Sequence, residues 1–369
     1  MIYLDYNASA PITSDAKDAV TAALDVTGNP SSVHAEGRKA RSIVEDARHK
    51  LARLIGASAE NIVFTSGATE ANNLALRGSG CRRILVSSVE HPSVLQSSKV
   101  VETIDVDCAG CVVPETLERL LAENDGPALV SVMLANNETG VIQPVRELAS
   151  IAHAHGSLVH CDAVQAPGRI PVDMRELGVD MMTLSAHKIG GPKGVGALVL
   201  APGIDVEGII TGGGQERGRR GGTENISAIA GFGAAAVCAD TALGNIEKVR
   251  ARRDKMEREL VSRVPEAIIH GAKASRLANT SSVGVEGALA ETQVIALDLA
   301  GFAISAGSAC SSGKVTPSHV LTAMGLSQEA AASAIRVSIG TETTEDEIAL
   351  FIDAWSAHIR SRKQQASAA

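Results

Sequence analysis

Four polar clusters each follow a short apolar run. Thr-Ser-Gly-Ala-Thr-Glu (65–70) follows Phe64, Ala-Asn-Asn-Glu-Thr-Gly (135–140) follows Leu134, His-Cys-Asp-Ala-Val-Gln (160–165) follows Val159, and Ser-Ala-His-Lys (185–188) follows Leu184. In open parallel sheets, ligands bind just beyond the carboxyl ends of the strands. Ser66, Gly67, Ala68 and Thr69 open a helix, whose free N–H groups with the Thr69 hydroxyl can hold an anion or form an ordinary cap. Asp162 ends a strand too apolar to leave a charge unpaired. It calls for a cation: an arginine, backbone donors, or a protonated pyridine nitrogen, with Gln165 placed to donate to a ring substituent. A lysine kept partly from water is a nucleophile toward carbonyls, and Lys188, with Lys193 as the lesser candidate beyond Pro192, can form a Schiff base.

His91, in Val-Glu-His-Pro, can stack on a flat ligand and relay protons, or be structural. Cys310 lies in a Gly/Ser run (305–313) with no apolar periodicity, which reads as an exposed loop. An ordinary thiol is only a few per cent ionised at pH 7, so reactivity there needs a local cation or base. Cys108 and Cys111 form a C-x-x-C without a second pair at zinc spacing, and read as a surface turn; no metal is expected. Residues 212–223 hold many glycines and three arginines. They read as a loop too flexible for the core, solvated or laid against an anion or a neighbouring subunit.

The elements that position these residues follow from periodicity. Ser14 is placed to cap a helix with Ala16, Ala19, Val20, Ala23 and Leu24 on one face, stopped at Gly28. A second helix carries Ile43, Val44, Ala47, Leu51, Leu54 and Ile55, stopped at Gly56. Apolar runs at 62–64, 84–86, 129–134, 158–159, 181–184 and 197–200 alternate with helices or loops. That predicts an α/β fold with a mainly parallel central sheet flanked by helices. A charged helix over 246–259 leads to a smaller α+β part, with strands at 281–285 and 336–339 and helices at 291–300 and 345–359, the last capped by Thr344. The tail beyond Lys363 is expected to fray.

The 369 residues carry a net charge of −8 and only 2% aromatics, which speaks against direct nucleic-acid binding. Hydrophobic residues at 45% suffice for a large core. Six cysteines make no disulfide scaffold, no run reaches the 18 or so apolar residues of a membrane span, and Asp5 interrupts any leader. A cytoplasmic protein without a membrane partner is expected. P-loop and dinucleotide fingerprints are absent, which disfavours a nicotinamide dehydrogenase.

YLDYNASAP (3–11), GNPSSVH (28–34), FTSGATEANNLA (64–75), EHPSV (90–94), NNETGVIQP (136–144), HCDAVQ (160–165), SAHKIGGPKGVGAL (185–198), GGGQERGRRGGTEN (212–225), SAGSACSSG (305–313) and IRVSIG (335–340) occur in this order. Together they resemble the NifS/IscS-like cysteine desulfurases, class V enzymes of the fold-type I pyridoxal 5′-phosphate (PLP) transferases. The resemblance implies a large domain over 14–245 and a small one from 1–13 plus 246–369 that carries the cysteine loop. Lys188 would carry the cofactor. Ala68, Thr69, Ser185 and His187 would hold its phosphate, with Thr223 from the neighbouring subunit of a homodimer. Asp162 would pair with the ring nitrogen, Gln165 with the phenolic oxygen, and His91 would stack on the ring. Asn137 and Arg336 would hold the carboxylate of L-cysteine, and Cys310 would take the sulfur. The implied products are L-alanine and a persulfide passed to an iron–sulfur scaffold or another acceptor protein. Ser311 stands where many relatives have Thr, and SAGSACSSG looks like the long-loop branch. A selenocysteine lyase or class V aminotransferase is the alternative.

Overall fold

The computed structural model describes residues 1–98, 100–124, 126–307 and 316–368, with side chains through 362; Cys310 lies outside the described residues. The strands are β1 (Ile2–Tyr3), β2 (Ile62–Thr65), β3 (Ile84–Ser87), β4 (Glu102–Ile104), β5 (Leu129–Ser131), β6 (Leu158–Asp162), β7 (Met181–Ser185), β8 (Gly196–Leu200), β9 (Ile268–His270), β10 (Thr280–Gly284), β11 (Phe302–Ala303), β12 (Ser305–Ala306) and β13 (Ala334–Ser338).

Among the described residues the large sheet has the order β2-β8-β7-β6-β5-β3-β4. β7, β6, β5, β3 and β4 are parallel, while β8 is antiparallel to both β7 and β2. β2 therefore runs with β7, and the carboxyl ends of β2, β3, β5, β6 and β7 share one edge. β2, β3, β5, β7 and β8 are buried throughout, which is why they read as unbroken apolar runs. β4, absent from the sequence reading, is a short edge strand; the Glu102 carboxylate takes both arms of Arg83 at 2.8 Å, a polar edge with no apolar signature.

Helix α1 (Ser14–Leu24) is capped one residue earlier than expected: the Thr13 hydroxyl, not Ser14, accepts from the Ala16 N–H. It ends at Leu24, which is exposed rather than on the buried face. Helix α2 (Ala35–Leu54) buries Val44, Ala47 and Leu51. Helix Ile226–Ala242 lies across both. A Cβ on its Gly231 would sit 2.6 Å from Val20 Cγ2, and one on Gly233 2.7 Å from Ala47 Cα, so these glycines permit the close approach. The stretch Ile226–Arg263 holds a window apolar enough by length and composition to cross a membrane, but 44% of that window is buried inside the protein. Its small apolar residues have a packing cause in α1 and α2.

A second, antiparallel sheet, β12-β13-β10-β9, packs on the helices Ile246–Arg263 and Glu345–Ala368. Val249, Met256, Leu260, Phe351 and Trp355 form its core, joined by Leu4 from the start of the chain. Thr344 caps the last helix as expected. Its hydroxyl accepts from the Glu347 N–H at 3.2 Å, and Glu347 returns the bond to the Thr344 N–H at 2.8 Å. The helix spans Glu345–Ala368.

The glycine-rich segment is the larger correction. It is pinned, not loose. Glu216 is buried and accepts both arms of Arg48 at 2.9 Å and the Phe64 N–H at 2.9 Å. Glu216 (φ 46°) and Arg217 (φ 58°) are both left-handed, a conformation non-glycine residues seldom hold without outside support.

Candidate active site

The carboxyl-end edge of the large sheet opens into a cavity of 640 Å³, whose walls include Ala68, Thr69, His91, Asn137, Asp162, Gln165, Ser185, His187, Lys188 and Arg336. The topology thus gathers residues from the start of the chain to β13 around one cavity. Lys193 also borders it but is exposed. Thr223 is exposed and does not line the cavity.

At one end helix α3 (Ala68–Gly78) begins directly after β2. Its cap is Gly67, with no side chain to satisfy the first N–H groups. A Cβ on Gly67 would meet nothing within 4 Å, whereas one on Gly196 of β8 would lie 2.6 Å from the Gly67 carbonyl carbon. The glycine pair brings two backbones together and leaves an open cradle over the helix start. Free N–H donors facing such a cradle suit a phosphate. Glu70 turns back to accept the Ser66 N–H at 2.8 Å, and Arg220 from the pinned loop donates to Glu70 at 2.9 Å. Burial raises the Glu70 pKa, but those donors outweigh it and the net shift is downward. Burial, then the charges of Lys188 and Lys193, holds His187 down to about 4, so it is neutral at pH 7.

In the middle, Asp162 is buried. It accepts from Asn72 Nδ2 at 2.8 Å and from the Val164 N–H at 3.1 Å. A buried carboxylate on a cavity wall suits a ligand that brings a cation to it. The same Asn72 amide donates to Ser93 Oγ at 2.9 Å. Ser93 in turn fixes His91: its backbone N–H donates to His91 Nδ1 at 3.1 Å, with its hydroxyl 2.8 Å from that atom. Nδ1 is thereby the acceptor, so the neutral ring carries its proton on Nε2. Burial lowers the His91 pKa; Asp162 opposes this, while Lys188 and His319 add to it.

Lys188 ends a short 3-10 turn (Ala186–Lys188) after β7, one turn beyond the strand that the sequence placed it on. Its Nζ donates to the carbonyls of Asn7 (2.6 Å) and Ala8 (3.0 Å). Gln165 Nε2 donates to the same Asn7 carbonyl at 3.0 Å. At the far end Arg336 reaches Asp5 Oδ1 at 2.7 Å and the Asn137 carbonyl at 3.1 Å, while its buried Nε has no partner among the described residues. Asp5 and Asn7 were not singled out from the sequence. They arrive because β1 pairs with β11 and Asp5 bridges to Ser338. Their signal was present: Ile2-Tyr3-Leu4 followed by Asp5-Tyr6-Asn7 repeats the pattern of an apolar run ending in a polar cluster.

Residues 2–351 match the aminotransferase class-V family. A cysteine desulfurase of Cereibacter sphaeroides is 44% identical over 363 residues, covering 94% of this chain and 92% of the relative. The chain belongs to the class-V aminotransferase family, in its cysteine desulfurase branch. The cysteine desulfurase IscS of Dictyoglomus turgidum is 39% identical, over 95% of this chain and 93% of its own length. The solved NifS-like protein from Rickettsia africae superposes with a TM-score of 0.89 at 36% identity, covering 97% of this chain and 99% of that one. Enzymes of this family depend on pyridoxal 5′-phosphate. The cradle at Gly67, the buried Asp162 and the half-buried Lys188 amine fit that cofactor's phosphate, ring nitrogen and aldehyde. The Cys108–Cys111 segment is the surface turn that its spacing suggested: Asp107 Oδ1 accepts the N–H groups of Ala109 and Cys111, each at 2.9 Å.

Proposed function

We propose that this class-V enzyme converts L-cysteine to L-alanine, leaves the sulfur on Cys310 as a persulfide, and hands it as a homodimer to an iron–sulfur scaffold or another acceptor thiol. In this reading 14–245 is the cofactor-binding domain, and 1–13 with 246–369 carries Cys310. The observation that carries it is one cavity that brings together a lysine amine, a buried carboxylate and a helix start with an open cradle.

Ala68 and Thr69 at the α3 N-terminus, with Ser185 and neutral His187, would hold the phosphate; the exposed Thr223 would serve the second copy's site. Asp162, tethered by Asn72, would keep the ring nitrogen protonated, Gln165 would donate to the phenolic oxygen, and His91 would cover one ring face. Bound pyridoxal phosphate supplies an electron sink that loosens the Cα–H and Cβ–S bonds of the amino acid. Arg336 and Asn137 orient the substrate carboxylate, the Arg by exchanging Asp5 for it. The freed Lys188 amine removes the α-proton and returns a proton. The Cys310 thiolate attacks the substrate sulfur: an S–S bond forms, the Cβ–S bond breaks, and its electron pair stays on Cβ, which is protonated to give alanine.

The test is product analysis with L-cysteine and a thiol reductant. Equal amounts of alanine and sulfide are expected, and Cys310→Ala should abolish both while Lys188 still carries the cofactor. Undiminished sulfide from Cys310→Ala, or a keto acid in place of alanine, would refute the persulfide route.

A further inference from the structure

Arg169 is an unusual charge. Only 8% of its surface is exposed, and among the described residues it forms no ion pair. Its partners among the described residues are neutral oxygens: Gln165 Oε1, the Gln165 carbonyl at 3.2 Å, the Tyr6 carbonyl at 3.2 Å and the Lys188 carbonyl at 3.4 Å. Burial, with the charge of Arg336 adding to it, lowers its pKa to about 9, so it is charged at neutral pH. A cation buried without a carboxylate is unfavourable unless something uses it, and no step of the proposed reaction does.

Its position suggests the use. A glutamine side chain is nearly symmetric in shape, with an oxygen and an NH2 at equivalent places, so its neighbours decide which end faces which way. A guanidinium only donates. Held against Gln165 by bonds to Tyr6, Lys188 and the Gln165 backbone, it can take only the oxygen end. The NH2 end is then the one on the cavity wall, where it shares the Asn7 carbonyl with Lys188 Nζ. We infer that Arg169 is a positioning residue, whose buried fork locks Gln165 with its donor end toward the cofactor's phenolic oxygen. The flipped amide would present an oxygen to an oxygen. The inference rests on the pyridoxal phosphate reading of the cavity.

The readout is the pH midpoint of the absorbance change of the cofactor on Lys188. A donor to the phenolic oxygen stabilises its ionised form, so losing that donor moves the midpoint up. Arg169→Lys keeps a charge, and so the best prospect of folding, but lacks the fork. It should raise the midpoint by about half a unit to one unit, and Gln165→Leu by about one unit or more. Because Arg169 acts through Gln165, adding Arg169→Lys to Gln165→Leu should move the midpoint by no more than about 0.2 unit. An unchanged midpoint in Arg169→Lys, or equal shifts in both backgrounds, overturns the inference. Borohydride reduction of each protein, with mass mapping of the peptide holding Lys188, separates the two failures. A tagged Lys188 with no shift sinks this inference alone. An untagged wild-type Lys188 sinks the cofactor reading, and this inference with it.

Discussion

Glu216→Gln removes one charge and changes no volume, yet it should reach both the stability and the active site. In the native chain the Glu216 carboxylate takes two bonds from Arg48 and one from Phe64, all at 2.9 Å, with the two side chains 3% and 9% exposed. Burial pulls the Arg48 pKa down, but Glu216, with Glu45, outweighs it and the net shift is upward. Removing one member strands the other; such losses are about 3–5 kcal/mol. Arg48 keeps the Ile62 carbonyl and the Phe64 ring face 4.7 Å away, which places the expected loss near the lower end, about 3 kcal/mol. Urea unfolding at fixed protein concentration reads this as a lower midpoint with an unchanged slope. The left-handed Glu216 and Arg217 then lose their support, and Arg220 its hold on Glu70. Trypsin should cut after Arg217, Arg219 or Arg220 faster than in the parent, and cofactor affinity should fall. Arg48→Met with Glu216→Met should regain most of the stability, since apolar pairs replace buried ion pairs well, without restoring protection of the loop. A Glu216→Gln protein that unfolds with the parent and is cut no faster would refute the reasoning.

Other consequences follow from single groups. Burial, opposed by Ser318 and Arg336, raises the Glu138 carboxyl to about 7 from 4.5. Its contribution to stability is therefore whole below about pH 4.5 and lost as pH rises through about 7; Glu138→Gln should remove up to about 3 kcal/mol of that decline in urea titrations across the range. Asp162→Asn removes a charge-assisted bond to the ring nitrogen and should weaken cofactor binding by about 10- to 100-fold in equilibrium dialysis. Asn72→Leu keeps the charge of Asp162 but drops its 2.8 Å tether and the link to Ser93. It should lower the rate of alanine formation while leaving the borohydride tag at Lys188 in place; an unchanged rate would show that the tether is dispensable.

What the sequence reveals and hides has a physical pattern. β2, β3, β5, β6, β7 and β8 were legible because they are buried on both faces, and the polar clusters beyond several of them marked the cavity edge. β4 was not, because an edge strand with Glu102 and Thr103 carries no such signature. Residues 212–223 read as loose because glycine and arginine content is local, whereas what pins the segment is Arg48, 168 positions away. The burial of Arg169 and Glu138 is equally non-local. The motifs gave the identities of the candidate site residues, but not the bonds that orient them: Asn72 on Asp162, Ser93 on His91, and Asp5 on Arg336. The thiol that would receive the sulfur, Cys310, is known here from sequence alone.

The central claim is that the Lys188 amine holds the cofactor through which the carbon–sulfur bond is broken. Its most direct test is to reduce the cofactor-loaded protein with borohydride, digest it and map the modified lysine by mass spectrometry, with and without prior L-cysteine. The account predicts a pyridoxyl adduct on Lys188, diminished when L-cysteine is added first because the amine has been displaced. An adduct on Lys193 or elsewhere, or none on a protein that still yields alanine from L-cysteine, would contradict it.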